Sequence, residues 1–360
     1  MNKKIIVNAT ALSTSGALTI LKQFLEGTRF SNREFICYVP EDVDFDDYKN
    51  VQLVKVKKMG WLKRILWDSY ILPKTIKRQS IVFTDIISLQ NTSINVKEKQ
   101  IIYLHQPIPF SNINFLNHNS FSFKFFLYKF FYSYFIFRYV KKETIFIVQT
   151  NWMALALQKK NKVKLSNIHV MRPDFIIPKK RKVFFDENDQ TDCFRLLYPA
   201  TPITYKNHLI ILKALAILPI ENFKFQVTFN IGEYLKFDKL VSQLGLSEKI
   251  EYLGYVDYES LITYYVLSDV VLFPSYLETF GMPLLEAASL RKKIICSDLP
   301  YAREVLANYN GVSFVMFDNA NDWGREILNE YHLKINESCT PILNIPKEKI
   351  SSWKSFFDLL

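Results

Sequence analysis

The feature that most narrows the fold is a repeated alternation of short apolar runs with segments of helical character. In the first half the runs are KKIIVNAT (3–10), EFICYVP (34–40), VQLVKV (51–56), IVFTDII (81–87), QIIYLHQ (100–106) and TIFIVQT (144–150). They do not alternate apolar with polar residues, which is the pattern of strands covered on both faces and so of a parallel sheet. Segments 16–26, 61–79, 120–141 and 151–160 read as the intervening helices. The alternation resumes with strands at 194–200, 224–232, 249–256, 269–275 and 292–298, and with helices at 208–218, 236–244, 258–267 and 283–291.

A chain of 360 residues exceeds what one hydrophobic core usually organises, so two α/β domains follow. Between them IPKKRKVFFDENDQTD turns abruptly basic and then acidic, as an exposed linker does. The expected organisation is a first Rossmann-like domain over 1–176, a linker over 177–193 and a second Rossmann-like domain over 194–345. Over 346–360 an amphipathic helix, with Trp353, Phe356 and Phe357 on one side, should pack back on the body. Two parallel sheets facing each other across a cleft bind ligands beyond the carboxyl ends of their strands.

Composition limits the alternatives. With 49% hydrophobic and 22% charged residues the chain is no disordered polyelectrolyte. Its four cysteines are scattered, with no CxxC pair, and read as reduced thiols; the apolar run at the N-terminus is too short for a signal-peptide core. Both point to the cytoplasm, at or near the inner face of the membrane. The formal charge of +11 suits an anionic membrane leaflet or a phosphorylated small molecule. Nucleic acid is not expected, because the basic residues are dispersed and no recognition motif occurs.

The most informative segment is PSYLETFGMPLLEAASL (274–290), in which a buried strand runs through a turn into a helix. Pro283 suits the first turn of that helix, and Gly281 in the turn lets the backbone approach a ligand closely. A helix N-terminus binds a diphosphate through free N–H groups and the positive end of the dipole. Glu278 precedes the turn and Glu286 is expected in the first helical turn. A carboxylate accepts two hydrogen bonds from a vicinal diol, which suits Glu286 to ribose hydroxyls and places Glu278 nearer a transferred sugar. Taken singly, each has an ordinary reading: Glu278 as a solvated loop residue, Glu286 as a charge favoured near a helix N-terminus.

In this setting ETFGMPLLE (278–286) resembles the E-x7-E signature of family 4, or group 1, retaining glycosyltransferases of the GT-B fold. The resemblance extends to SLQN (88–91), YLHQPIPF (103–110), VQTNWM (148–153), YPATPITYKNH (198–208), LGYV (253–256) and SDLPYAREVL (297–306). It implies a hexosyltransferase that takes a UDP- or GDP-sugar as substrate and serves surface or capsular polysaccharide synthesis. The acceptor would be a glycan or lipid-linked glycan held by the first domain. Lys206 would contact the donor diphosphate with Gly16 and the stretch Phe280, Gly281, Met282, Pro283 and Leu284, while Gly232, Tyr255 and Val256 would lie near the base and ribose. His105 would contact the transferred sugar or the reacting phosphate. Ala200 stands where the family commonly has an arginine, which leaves the diphosphate more dependent on Lys206.

Retaining transfer in this fold is described as front-face attack, with the leaving phosphate helping to deprotonate the acceptor, so no enzymic nucleophile is required. No metal or other cofactor is expected. Asp44-Phe45-Asp46 spells the DxD of metal-dependent transferases of another fold, but within EDVDFDD (41–47) it reads as a solvated loop. The aromatic segment 121–141 is interrupted by Lys124, Lys129 and Arg138 and does not span a bilayer; it lies in the interface of an anionic leaflet or forms a core helix. Two rival readings keep the fold: a nucleotide-sugar 2-epimerase, and a non-catalytic, partner-dependent subunit.

Overall fold

The computed structural model describes residues 4–111, 123–161, 163–175, 193–335 and 352–360. The expected linker at 177–193 lies outside the described residues except for Cys193, and so does Cys339. The chain divides into two compact units, 1–175 with 348–360, and 176–347.

The first unit contains β1 (Lys4–Asn8), α1 (Ser15–Gly27), β2 (Glu34–Pro40), β3 (Val51–Val56), α2 (Trp61–Leu66), α3 (Leu72–Arg78), β4 (Phe83–Ser88) and β5 (Lys99–Leu104). It continues through α4 (Phe123–Phe137), β6 (Ile145–Val148), α5 (Asn151–Asn161) and β7 (Ile168–Val170). The strands form one seven-stranded sheet in the order β3-β2-β1-β4-β5-β6-β7, and every pairing is parallel. Sequence order therefore reverses between β1 and β4.

The helix expected over 61–79 is present as one uninterrupted run over 61–78, with a π turn inside it. The π turn at Trp67–Ile71 lies between α2 and α3, and Pro73 lies in the first turn of the latter. Proline has no N–H to continue the preceding ladder, so the wider turn ahead of it absorbs the mismatch. On α4, Tyr132 and Ile136 are buried while Phe131 and Tyr134 are exposed, so the helix has a core face and an apolar outer face. Among the described residues no helix is long and apolar enough to cross a membrane.

The second unit contains β8 (Phe194–Tyr198), α6 (His208–Leu215), β9 (Phe223–Val227), α7 (Leu235–Gln243), β10 (Ile250–Tyr252), α8 (Tyr258–Leu267) and β11 (Val270–Phe273). After these come α9 (Met282–Ser289), β12 (Lys293–Ser297), α10 (Pro300–Val305), β13 (Val312–Val315) and α11 (Ala320–Ile335). Its six parallel strands run β10-β9-β8-β11-β12-β13, so order reverses between β8 and β11.

The last helix, α12 (Ser352–Phe357), belongs to the first unit. Six residues cannot hold a helix in water without tertiary support. Here Trp353, Phe356 and Phe357 are buried in one cluster with Phe24, Phe35 and Tyr103. Trp353 stacks on Tyr103 at 5.8 Å and meets Phe24 edge-on at 5.6 Å. Each buried aromatic contributes roughly 2–3 kcal/mol, which fixes the segment that local propensity would not. At Gly27 an added Cβ would stand 2.8 Å from Phe357 and 2.9 Å from Trp353, so this helix closes on bare backbone.

Candidate functional site

The carboxyl ends of β8 and β11, side by side where strand order reverses, carry the residues singled out above. After β8 a short 3-10 turn, Thr204–Lys206, delivers Lys206 just ahead of α6, and Asn207 caps that helix in the left-handed region. Asn207 Nδ2 donates to the Phe317 carbonyl at 2.7 Å, and Tyr198 Oη donates to the Lys206 carbonyl at 2.7 Å, so the turn is tied down from two sides. After β11 the loop Pro274–Phe280 delivers Glu278. Its Oε1 lies 2.5 Å from Lys206 Nζ and accepts from Ser275 Oγ at 2.7 Å. Both members of the ion pair are about one-sixth exposed.

Gly281 has φ +87° and caps the N-terminus of α9; the left-handed conformation favours glycine, and a Cβ would press on Leu284 and Tyr301. The helix that follows opens with Met282 and Pro283, as the sequence suggests. Leu284 N–H donates back to the Gly281 carbonyl and Pro283 has none, so the backbone donors left in this stretch are those of Phe280, Gly281 and Met282. Phe280 and Leu284 are buried.

Glu286 sits in the second turn of α9, not the first, and is 8% exposed. The ordinary reading as a solvated charge at a helix N-terminus therefore fails. Its Oε2 accepts from Tyr265 Oη at 3.0 Å. Burial raises the carboxyl pKa, and the tyrosine hydrogen bond opposes that shift. A buried carboxylate with one fixed donor retains acceptor sites for further hydroxyls.

The remaining positions in this unit are more dispersed. Gly232 does not end a strand: β9 stops at Val227, and Gly232 lies in the following turn with its N–H donating to Asp238 Oδ2 at 2.9 Å. Tyr255 and Val256 follow β10, and Tyr255 is 93% exposed. Ala200 is buried. Lys206, Ser275 and Glu278 thus form one hydrogen-bonded group, with Gly281 three residues on from Glu278 in the same loop, while Gly232, Tyr255 and Val256 occupy the loops after the neighbouring strands β9 and β10. The sequence gives no sign of Ser275, Tyr265 or Tyr301 as members; Tyr301 Oη donates to the Ser275 carbonyl at 2.6 Å and braces the loop.

In the first unit Gly16 lies in the first turn of α1 rather than in the loop before it, with open space where a side chain would stand. His105 follows β5. Its N–H donates to Asn91 Oδ1 at 2.6 Å, and its Nε2 lies 2.9 Å from the Leu89 carbonyl. The same Nε2 lies 3.2 Å from Asn91 Nδ2, so it faces both an acceptor and a donor. Burial lowers the imidazole pKa to about 4 against the pull of that carbonyl, so His105 is neutral at physiological pH. Asp44 is fully solvent-exposed and pairs with Lys55, as a surface-loop residue does.

Two parallel Rossmann-like sheets of these strand orders constitute the GT-B fold. WaaG, a glycosyltransferase involved in lipopolysaccharide biosynthesis, superposes with a TM-score of 0.69 at 14% identity over 99% of both chains. HepE of Anabaena, in complex with UDP and glucose, gives 0.65 at 15% identity over 99% of this chain and 95% of its own. Residues 179–337 match the model of the family described as Glycosyl transferases group 1. The O-antigen chain mannosyltransferase RfbU of Salmonella typhimurium is 32% identical over 95 residues, 26% of either chain. The match thus spans about a quarter of that relative's length.

Proposed function

We propose that this protein is a retaining glycosyltransferase that moves a hexose-type sugar from a UDP- or GDP-sugar to a glycan or lipid-linked glycan acceptor in surface polysaccharide synthesis. The observation that carries this reading is the cluster at the ends of β8 and β11, where a cation, two carboxylates and a helix N-terminus converge on one strand reversal. In it Lys206 and the α9 N-terminus stabilise charge on the leaving diphosphate, Glu286 holds the ribose hydroxyls and Glu278 orients the transferred sugar. The relative named an O-antigen chain mannosyltransferase and the structural neighbour holding UDP and glucose support the donor class and the pathway type.

Lys206 already supplies a positive charge at the proposed diphosphate position, so transfer is proposed to proceed without a metal. His105, neutral because burial lowers its pKa to about 4, is suited to exchange a hydrogen bond with a sugar hydroxyl. The apolar outer face of α4, with Phe131 and Tyr134 beside Arg138, supports peripheral contact with an anionic membrane. Flotation that is the same with and without anionic lipid would remove that part of the reading.

The decisive experiment is a thermal-shift panel with UDP, GDP and their sugar conjugates, beside Glu286→Ala. A ligand at a hundred times its Kd stabilises by about 2.7 kcal/mol. A selective shift that disappears in the variant supports the site and identifies the nucleotide. No shift from any of them in folded protein would sink the reading.

A further inference from the structure

The first sheet has its own strand reversal, between β1 and β4, and a pocket opens there within the first unit. The loop after β4, the α2 and π-turn segment, and α4 line a pocket there that opens to solvent.

Its polar end is Asp68, 5% exposed, whose Oδ1 accepts from Asn8 Nδ2 at 2.7 Å and from Gln90 Nε2 at 3.1 Å. Oδ2 accepts from Thr92 Oγ1 at 2.6 Å. A carboxylate offers about four acceptor positions, so capacity is left toward the pocket. The π turn contributes both Trp67 and Asp68 to the interior, and Trp67 Nε1 donates to Asn8 Oδ1 at 3.1 Å. Arg64 also lines the pocket; its Nε is buried and, among the described residues, has no hydrogen-bond partner. A buried donor without a partner is rare and asks for an acceptor. The wall is aromatic: Trp61 meets Phe135 edge-on at 5.7 Å.

This combination selects a ligand class. A phosphate would face a fixed carboxylate, a cation would face the guanidinium groups of Arg64 and Arg138, and an apolar group would strand both kinds of polar atom. A neutral pyranose satisfies all of them. Its hydroxyls accept from Arg64 and donate to Asp68, and its C–H face lies against Trp61. We propose that this pocket binds one neutral hexose residue of the acceptor glycan; as an acceptor subsite it rests on the transferase reading above.

The test uses the full chain, with methyl α-mannopyranoside, methyl α-glucopyranoside and the methyl glycoside of N-acetylglucosamine as probes. Inorganic pyrophosphate serves as the anion control. Binding is read by saturation-transfer NMR and by quenching of tryptophan emission, alongside the nucleotide thermal shift on the same samples. At least one glycoside should bind, pyrophosphate should not compete with it, and Arg64→Met and Trp61→Ala should each weaken it about tenfold while the nucleotide shift is retained. Both side chains are surface-accessible, so neither variant is expected to unfold the unit. Competition by pyrophosphate, binding undiminished in both variants, or no binding of any glycoside to protein that still shows the nucleotide shift would each overturn the proposal. A glycoside signal lost in the variants without any nucleotide shift would uphold the sugar pocket while removing the transferase reading.

Discussion

Lys206 and Glu278, 72 residues apart in sequence, form a largely buried ion pair at the mouths of adjacent strands, and Ser275 shares the same carboxylate oxygen. The pair fixes the position of both side chains and neutralises the cation; in the proposed reaction a donor diphosphate competes with Glu278 for Lys206.

The two partners should therefore fail differently. Lys206→Met is expected to abolish the thermal shift with nucleotide diphosphates, because it removes the charge that meets them. Glu278→Gln should keep most of that shift and lose turnover by about a hundredfold or more, the scale of losing one preorganised polar contact to the transition state. Nucleotide titration and a transfer assay on both variants separate the roles; equal loss of binding in both would contradict the division.

A metal requirement is the next point of test. On the proposal that Lys206 and the α9 N-terminus stabilise the leaving group, transfer is expected to persist in EDTA and to gain little from added manganese. Activity that vanishes in EDTA and returns with manganese would overturn the metal-independent mechanism.

Stability should carry a histidine signature. His208 is wholly buried at the start of α6, with its ring 4.5 Å from that of Tyr198 and 5.2 Å from that of Phe229. Burial, aided by the nearby Lys206 charge, lowers its pKa from 6.5 to about 3. The unfolded chain therefore takes up a proton below about pH 6.5 while the folded one does not, so this contribution is present above that pH and drains away as pH falls toward 3. Relative to His208→Phe, the wild type should lose about 1.4 kcal/mol per pH unit across that window. Urea unfolding of both proteins between pH 6 and 4 measures the difference; parallel curves would contradict it.

Gly27→Ala is expected to destabilise the first unit by about 1–3 kcal/mol, since the new methyl meets Phe357 and Trp353 at less than contact distance. The damage should localise. Proteolysis near the C-terminus should accelerate in the variant, and an unchanged cleavage rate would show that α12 accommodates the methyl by a shift too small to loosen it.

How far sequence alone reaches can be judged residue by residue. The β8 and β11 runs are legible because strands buried on both faces need near-continuous apolar character, and Gly281 with Pro283 marks the turn into α9. Glu286 falls in the second turn and not the first because α9 begins one residue earlier than expected, at Met282, and a helix start set by a left-handed glycine has no capping side chain to announce it. Ser275, Tyr265 and Tyr301 are invisible for a different reason. Their roles arise from packing, and a serine or tyrosine in an apolar stretch looks the same whether or not it braces a carboxylate. The Asp68 network lies further still from local pattern, joining residues 60 and 22 positions away through a π turn that no periodicity announces.

The return of α12 to the first unit makes the second unit an insertion within the first. On the ribosome the two cannot mature in the order in which they are made. Residues 193–335 emerge as one uninterrupted stretch and can complete their sheet at once. The earlier-made sheet must wait, with Phe24, Phe35 and Tyr103 uncovered, until Trp353 and Phe357 clear the exit tunnel. A nascent chain stalled shortly before that point would hold a finished second unit and an unsealed first one, which is where a chaperone would find its substrate.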